Sequence, residues 1–363
     1  MRTSSSLLFL SDEISHQRTD DYSRNRAVVI WLVACAVTIL GMILLGGVTR
    51  LTGSGLSMVD WRPIMGIFPP MSNESWIAVF EQYKLFPEYQ YVNTGISLLE
   101  FKTLFWFEYA HRLLGRFIGL LFFLPLLYFW RNGDIPRCIK PHMLILLLLG
   151  AVQGLLGWYM VKSGLADNPH VSQYRLMSHL CLAVLIFGYI IFISAELRRR
   201  NTVGLLKNYK HATAFPAVLL TLTFVMIALG GLVAGTKSGQ IYNTFPHMNG
   251  ELVPTGLLAL SPMWINIFEN PVMIQFSHRT VAWVLLVAGI AYFLFVNVTK
   301  SSHLKIMAGL LMVAIFFQGM LGIFTLLNKV PVVLGVLHQG GAMVVFLIAV
   351  LLYQRSRHIE IMS

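Results

Sequence analysis

Charged residues are scarce in this chain: Asp, Glu, Lys and Arg make up 12% of its 363 residues, whereas apolar residues make up 56%. A soluble domain rarely combines so little charge with so many apolar residues, which argues against an ordinary soluble enzyme. Several apolar runs approach the roughly 20 residues that a helix needs to cross a bilayer. Because lipid leaves each segment to satisfy its own backbone hydrogen bonds, the sequence predicts an all-α integral membrane protein.

Cysteine is also scarce. Cys35 and Cys181 fall within apolar runs and Cys138 falls in a basic loop, so the three cysteines offer no pair that is close in sequence or in an outer loop. We therefore expect neither a disulfide framework nor a cysteine metal site.

Acidic residues are outnumbered by basic ones, 16 to 27, which gives a formal net charge of +11. In a soluble protein this excess would suggest a nucleic-acid partner. Here the basic residues lie in short strings between apolar runs, as topology signals do, so we expect a lipid bilayer and no nucleic acid as the partner.

Eight apolar runs predict eight membrane-spanning helices. The segments on one side of these runs carry 16 Lys and Arg, and the longer segments on the other side carry 8. The positive-inside rule then places both termini in the cytoplasm, a topology that requires an even number of spans, in agreement with the eight runs. The runs centre on residues 27–48, 104–129, 142–161, 176–195, 214–235, 276–297, 305–327 and 332–353.

The two halves of the chain repeat four motifs in the same order. This duplication predicts two four-helix bundles related by a pseudo-two-fold axis along the membrane normal. The matches are GGVTRLTGSG (46–55) with GGLVAGTKSG (230–239), EYAHR (108–112) with QFSHR (275–279), QGLLG (153–157) with QGMLG (318–322), and LMSHL (176–180) with LGVLHQ (334–339). The predicted units are a cytoplasmic tail (1–26), an N-terminal bundle (27–195), a basic cytoplasmic linker (196–213), a C-terminal bundle (214–353) and a cytoplasmic tail (354–363).

Each half carries two histidines near the predicted outer ends of its second and fourth helices: His111 and His179, then His278 and His338. Side chains from facing helices of a bundle converge on a central cavity. Two imidazole nitrogens about 4 Å apart across a common centre are what a six-coordinate haem iron requires. A lone histidine could instead be a packing residue, and zinc is an alternative ligand, but zinc sites gather three or four ligands with one short spacing.

The halves differ beside the first histidine of each pair. A shift of 167 residues aligns Glu108 with Gln275, so only the first half has a carboxylate one turn from its histidine. A carboxylate can take part in proton transfer, whereas an amide can only form hydrogen bonds, so the first half suits acid–base chemistry and the second suits a permanently held cofactor.

Three arginines lie close to these positions in the sequence. Arg50, Arg112 and Arg279 are candidates for binding haem propionates, since a guanidinium suits two carboxylate oxygens. The alternatives are an ion pair between Glu108 and Arg112 or Arg50, and arginine side chains that extend to the membrane interface.

The motifs GGVTRLTGSGLSMVDWRPI, EYAHRLLGR, GGLVAGTKSGQIYNTFPHMNG, FSHRT and LHQ together resemble haem A synthase over residues 28–353. The chain lacks the outer-loop cysteine pair of some members, so it resembles the cysteine-free branch of proteobacteria and mitochondria. The resemblance implies an oxidoreductase that converts a methyl group of haem O to the formyl group of haem A for terminal oxidases.

The resemblance also implies roles for the site residues. His111 and His179 would flank the substrate haem O, and His278 and His338 would ligate the iron of a haem b. Glu108 and His111 would be the catalytic residues, with Glu108 as the proton acceptor. Delivery of haem O by a haem O synthase is expected, with terminal-oxidase assembly proteins as further candidate partners; the electron acceptor and any homo-oligomer are left open.

Localisation in the bacterial inner membrane is expected, with the mitochondrial inner membrane as the alternative. Two other functions compete with the enzyme. A non-catalytic dihaem cytochrome would place two permanent haems in the membrane, although two sites near one face are poorly placed for electron transfer across it. A transporter with a duplicated fold would need broken helices at the midplane, and the sequence gives no sign of them there.

Overall fold

The computed structural model describes residues 4–59, 67–165, 171–200, 213–298 and 301–357. In the first helix, side chains are described from Arg26 onward. Within these residues eight helices are long and apolar enough to cross a membrane. This confirms the predicted all-α, multi-pass membrane protein. The eight long helices are α1 (Ser4–Leu51), α3 (Leu98–Arg131), α4 (Lys140–Gly164), α5 (Gln173–Arg200), α6 (Ala214–Thr236), α8 (Pro271–Asn297), α9 (Ser302–Leu327) and α10 (Val332–Ser356).

The long helices extend beyond the apolar runs that predicted them. Helix α1 begins at Ser4, inside the segment predicted as a tail, and its membrane-length part is Arg26–Leu51. Most of the predicted linker, residues 201–212, lies outside the described residues. The unit boundaries, the membrane orientation and the pseudo-two-fold axis stay predictions.

Local signals set the ends of the helices that carry the site. Ser97 and Glu100 form a capping box at the start of α3, each side chain accepting a hydrogen bond from the other's backbone nitrogen. Asn270 caps α8, and Pro271 occupies its first turn, where a missing N–H does no harm. Helix α6 ends at Lys237, which has a left-handed backbone with φ of 55°. These ends fix the height of the site residues along each helix.

Two short helices lie in the connections that follow α1 and α6, at the predicted outer end of the helix bundle. Helix α2 (Asn73–Lys84) is followed by a π-helical turn (Glu88–Val92), and α7 (Asn266–Glu269) precedes α8. An aromatic cluster holds α2 against α3 through Trp76, Phe80, Tyr83, Phe101, Phe105 and Tyr109. Burial of such rings is the main favourable term that keeps this connection folded.

Helices α1, α5, α6 and α10 contact one another between the two halves. The main apolar core includes Cys35 of α1, Phe187 of α5, Ile227 of α6 and Phe346 of α10. In the second half α8 and α9 pack closely, whereas their first-half counterparts α3 and α4 touch only sparsely. The first half is therefore the more open of the two.

Candidate functional site

The second half brings its two predicted histidines together. His278 of α8 and His338 of α10 face each other with ring centres 6.4 Å apart and ring planes inclined by 70°. An iron bound by one nitrogen of each ring, at roughly 2 Å, would place the ring centres roughly 6 Å apart. The spacing of this pair therefore fits two axial ligands of one haem iron.

Glycines make room for both rings of this pair. A Cβ atom added to Gly322 of α9 would lie 2.7 Å from Cε1 of His338, closer than packing allows. A Cβ on Gly230 of α6 would lie 3.4 Å from Cε1 of His278. The approach of His338 to Gly322 is one that only glycine permits without displacement, whereas the contact at Gly230 has ordinary van der Waals length.

The first half repeats this arrangement with its own residues. His111 of α3 lies against Gly46 of α1, where an added Cβ would be 3.2 Å from Nε2 of the ring. His179 of α5 lies against Gly157 of α4, where an added Cβ would be 3.0 Å from Cε1. The two histidines are close enough to interact electrostatically. The structure thus brings each predicted pair together within its own half.

A glutamine holds the second histidine of each pair. Nε2 of Gln318 donates to the backbone oxygen of His338 at 2.7 Å and lies 3.0 Å from Nδ1 of its ring. Nε2 of Gln153 donates to the backbone oxygen of His179 at 3.0 Å and lies 3.4 Å from a ring nitrogen. Each glutamine is thus tied to the helix turn that carries the histidine, with its amide against the imidazole ring. Sequence reasoning missed both glutamines, although each begins a repeated QGxLG motif that could have pointed to them.

Glu108 is almost fully buried, with 3% of its surface exposed. Its Oε2 accepts hydrogen bonds from the hydroxyl of Ser57 at 2.7 Å and from the backbone nitrogen of Met58 at 2.8 Å. Its Oε1 pairs with the guanidinium of Arg112, which is the ion pair weighed in the sequence analysis. A buried carboxylate with three hydrogen-bonding partners is held in one position.

The equivalent residues of the second half, Gln275 and Arg279, both act as hydrogen-bond donors. Nε2 of Gln275 donates to the backbone oxygen of Tyr242 at 3.0 Å. Arg279 donates to that oxygen at 2.8 Å, as Arg112 donates to the backbone oxygen of Met58 at 2.8 Å. The amide therefore meets a carbonyl where the carboxylate meets an N–H, and the two arginines have equivalent backbone acceptors.

Arg50 lies at the junction of the halves. Its guanidinium donates to the backbone oxygens of Ala234 at 2.9 Å and Gly235 at 3.0 Å, near the last turn of α6. The ion pair between Arg50 and Glu108, weighed as an alternative above, does not form, because Glu108 is paired with Arg112 instead. Arg50 thus ties α1 to the carbonyl end of α6, where a positive charge is favourable.

A second acid near this site, Glu88 in the π-helical turn, was missed by sequence reasoning. It is 7% exposed. Burial, together with repulsion from Glu108, raises the pKa of Glu88 to about 7, although Arg50 and Lys237 act in the opposite direction. Glu88 lies in the irregular connection that precedes α3, where no periodic pattern signalled this contact.

Eight long apolar helices with a pair of partly buried histidines in each half define a multi-pass membrane protein with a duplicated histidine site. Its sequence matches a family model described as cytochrome oxidase assembly protein over residues 29–350. The chain belongs to this family, that of the haem A synthases, which are oxidoreductases that convert haem O to haem A.

Curated relatives agree over nearly the whole chain. The haem A synthase of Parvibaculum lavamentivorans is 44% identical over 92% of this chain and 95% of its own length. Those of Nitrosospira multiformis and Nitrosomonas eutropha are each 43% identical over 93% of this chain and 96% of their own lengths. These matches confirm the family that the sequence motifs resemble.

Proposed function

We propose that the first half of this haem A synthase oxidises haem O and that the second half holds a haem b. The observation that carries this division is the contrast between Glu108 and Gln275, which occupy equivalent positions one turn from equivalent histidines. Only the first half offers a buried group that can accept a proton beside the bound substrate.

In the second half, His278 and His338 would be the axial ligands of haem b. Their ring spacing of 6.4 Å and the glycines behind them fit a flat, six-coordinate group. Haem b, when bound, supplies a one-electron redox centre within reach of the substrate half. Gln318 would hold the turn of α10 that carries His338, and Arg279 remains a candidate for a propionate because it follows His278 in the sequence.

In the first half, His111 and His179 would flank the substrate haem O. The reaction lies at a methyl group on the rim of the macrocycle, which two successive hydroxylations and loss of water convert to a formyl group. Glu108 would accept a proton in this sequence, held ready by Ser57, Met58 and Arg112. Burial of Glu108 keeps bulk water away from its carboxyl group.

The cellular setting follows the same proposal. The chain would lie in a bacterial inner membrane with both sites near the outer face. Haem O would reach the first half from a haem O synthase, and haem A would pass to terminal-oxidase assembly proteins.

The test replaces each histidine singly by alanine and measures both haem content and product in the purified protein. We expect His278→Ala and His338→Ala to lose haem b. His111→Ala and His179→Ala should keep haem b and lose haem A and hydroxylated haem O. Two permanently bound haems with no oxidised product in the unaltered protein would favour the dihaem cytochrome and overturn the proposal.

A further inference from the structure

A cavity of about 290 Å³ opens at the predicted outer end of the first half. It lies between α3, α4 and the segment that follows α1, beside the Glu108–Arg112 pair. Its walls are mostly apolar, with two cationic side chains among them. The lining includes Arg112, Met58, Val59, Trp158, Val161 and Lys162.

The two cations differ in how far their charge is already compensated. Arg112 is paired with the carboxylate of Glu108 and donates to the backbone oxygen of Met58, which fixes its position. Lys162 lies with its Nζ 5.0 Å from the centre of the Trp158 ring, and its side chain is exposed at the mouth of the cavity. Among the described residues around the cavity, Glu108 balances the charge of Arg112, and Lys162 supplies a positive charge that would attract an anion.

A lysine at this position is specific to the first half. The aligned motifs QGLLG and QGMLG place Lys162 opposite Leu327 in the second half. The helix packing also differs between the halves. Ile315 of α9 packs against Gly289 of α8, whereas Gly150 of α4, which aligns with Ile315, faces open space. The cation and the looser helix pair therefore occur together, in the half proposed to take up and release its ligand.

We propose that Lys162, together with Arg112, binds a propionate carboxylate of the substrate haem at the mouth between α3 and α4. This inference rests on the proposed function of the first half. A cavity of about 290 Å³ is at the small end of ligand pockets, so it accommodates the carboxylate edge of a haem and leaves the ring to the space between the histidines. Two cationic donors of different geometry suit the two oxygens of one carboxylate.

This contact would also position the reacting carbon. The methyl group of haem O that becomes the formyl group shares a pyrrole ring with one propionate. Holding that propionate beside Arg112 therefore keeps the methyl group near Glu108, because Glu108 and Arg112 are themselves ion-paired. Lys162 is then a substrate-binding residue that acts on affinity and orientation.

The experiment titrates the purified, haem b-loaded protein with haem O and, separately, with haem O whose propionates are methyl esters. Lys162→Gln should raise the Kd for haem O about 10-fold, as expected for loss of one charge-assisted hydrogen bond, and leave the Kd for the ester unchanged. Lys162→Arg should bind haem O within about 3-fold of the unaltered protein. The matched control is Lys102→Gln, since Lys102 also lies over a tryptophan, Trp76, but outside the cavity.

An unchanged Kd in Lys162→Gln, or an equal loss for haem O and its ester, would overturn this inference. If such a result is obtained while the unaltered protein binds and oxidises haem O, the role of Lys162 is wrong and the proposed function is retained. An unaltered protein that binds no haem O between His111 and His179 would overturn both.

Discussion

The carboxylate of Glu108 accepts a hydrogen bond from the backbone nitrogen of Met58 at 2.8 Å. At the equivalent place in the second half, the amide of Gln275 donates to the backbone oxygen of Tyr242 at 3.0 Å. The backbone thus presents a donor to the acid and an acceptor to the amide. The difference between the halves extends beyond one side chain to the loop that receives it.

Replacing Glu108 by glutamine makes the first half resemble the second. We expect haem b content to stay unchanged and haem A formation to fall by about 10²–10⁴-fold, because an amide cannot accept the proton. The measurement is haem b content and product yield of the purified variant. Glu100→Gln is the matched control, since it makes the same change at the start of the same helix, where glutamine also serves in a capping box. Full turnover in Glu108→Gln would remove this carboxylate from the mechanism.

Gly322→Ala should weaken haem b binding. Its Cβ would lie 2.7 Å from the ring of His338, so the imidazole must shift away from its position opposite His278. Overpacking of this kind costs about 1–3 kcal/mol, or roughly 5- to 150-fold in haem affinity. Gly319→Ala is the control on the same helix, because an added Cβ there meets nothing within 4 Å. Equal haem affinity in the two variants would show that the ring does not depend on this glycine.

Arg50→Gln should lower thermal stability whether or not haem is bound. The substitution removes hydrogen bonds to the backbone oxygens of Ala234 and Gly235, which join α1 to α6. Loss of such partners costs about 1–3 kcal/mol. The measurement is thermal unfolding of the protein in detergent before and after haem is loaded. A loss seen only in the loaded protein would instead favour the propionate role that the sequence suggests for Arg50.

Glu88 should make stability depend on pH. Its pKa is raised to about 7, so between the ordinary glutamate value and this pH the folded protein binds more protons than the unfolded chain. The free energy of unfolding therefore falls as pH rises through this window, and Glu88→Gln should remove that fall.

The measurement compares the thermal midpoints of the unaltered protein and Glu88→Gln from pH 5 to pH 8. The stability of the variant relative to the unaltered protein should rise across this range. Glu74→Gln is the control, because backbone hydrogen bonding lowers the pKa of this exposed acid. Parallel curves for the unaltered protein and Glu88→Gln would contradict the account of Glu88.

The spans and the histidine pairs could be predicted from the sequence because both signals are local. An apolar run of roughly 20 residues needs no knowledge of its neighbours, and the repeat places His111 opposite His278 by alignment alone. The acceptors of Arg50 could not be predicted in this way. The repeat aligns Arg50 with Ala234, yet their contact depends on how α1 packs against the end of α6. The burial of Glu88 likewise depends on a loop folded against α1 and α3.

The central claim is that paired histidines ligate one haem iron in the second half. Electron paramagnetic resonance at low temperature of the oxidised protein, purified from cells that make no haem O, tests it most directly. The account predicts a low-spin ferric signal from two imidazole ligands, which is lost or converted to a high-spin signal in His338→Ala and in His278→Ala. The same low-spin signal persisting in both variants would contradict the account.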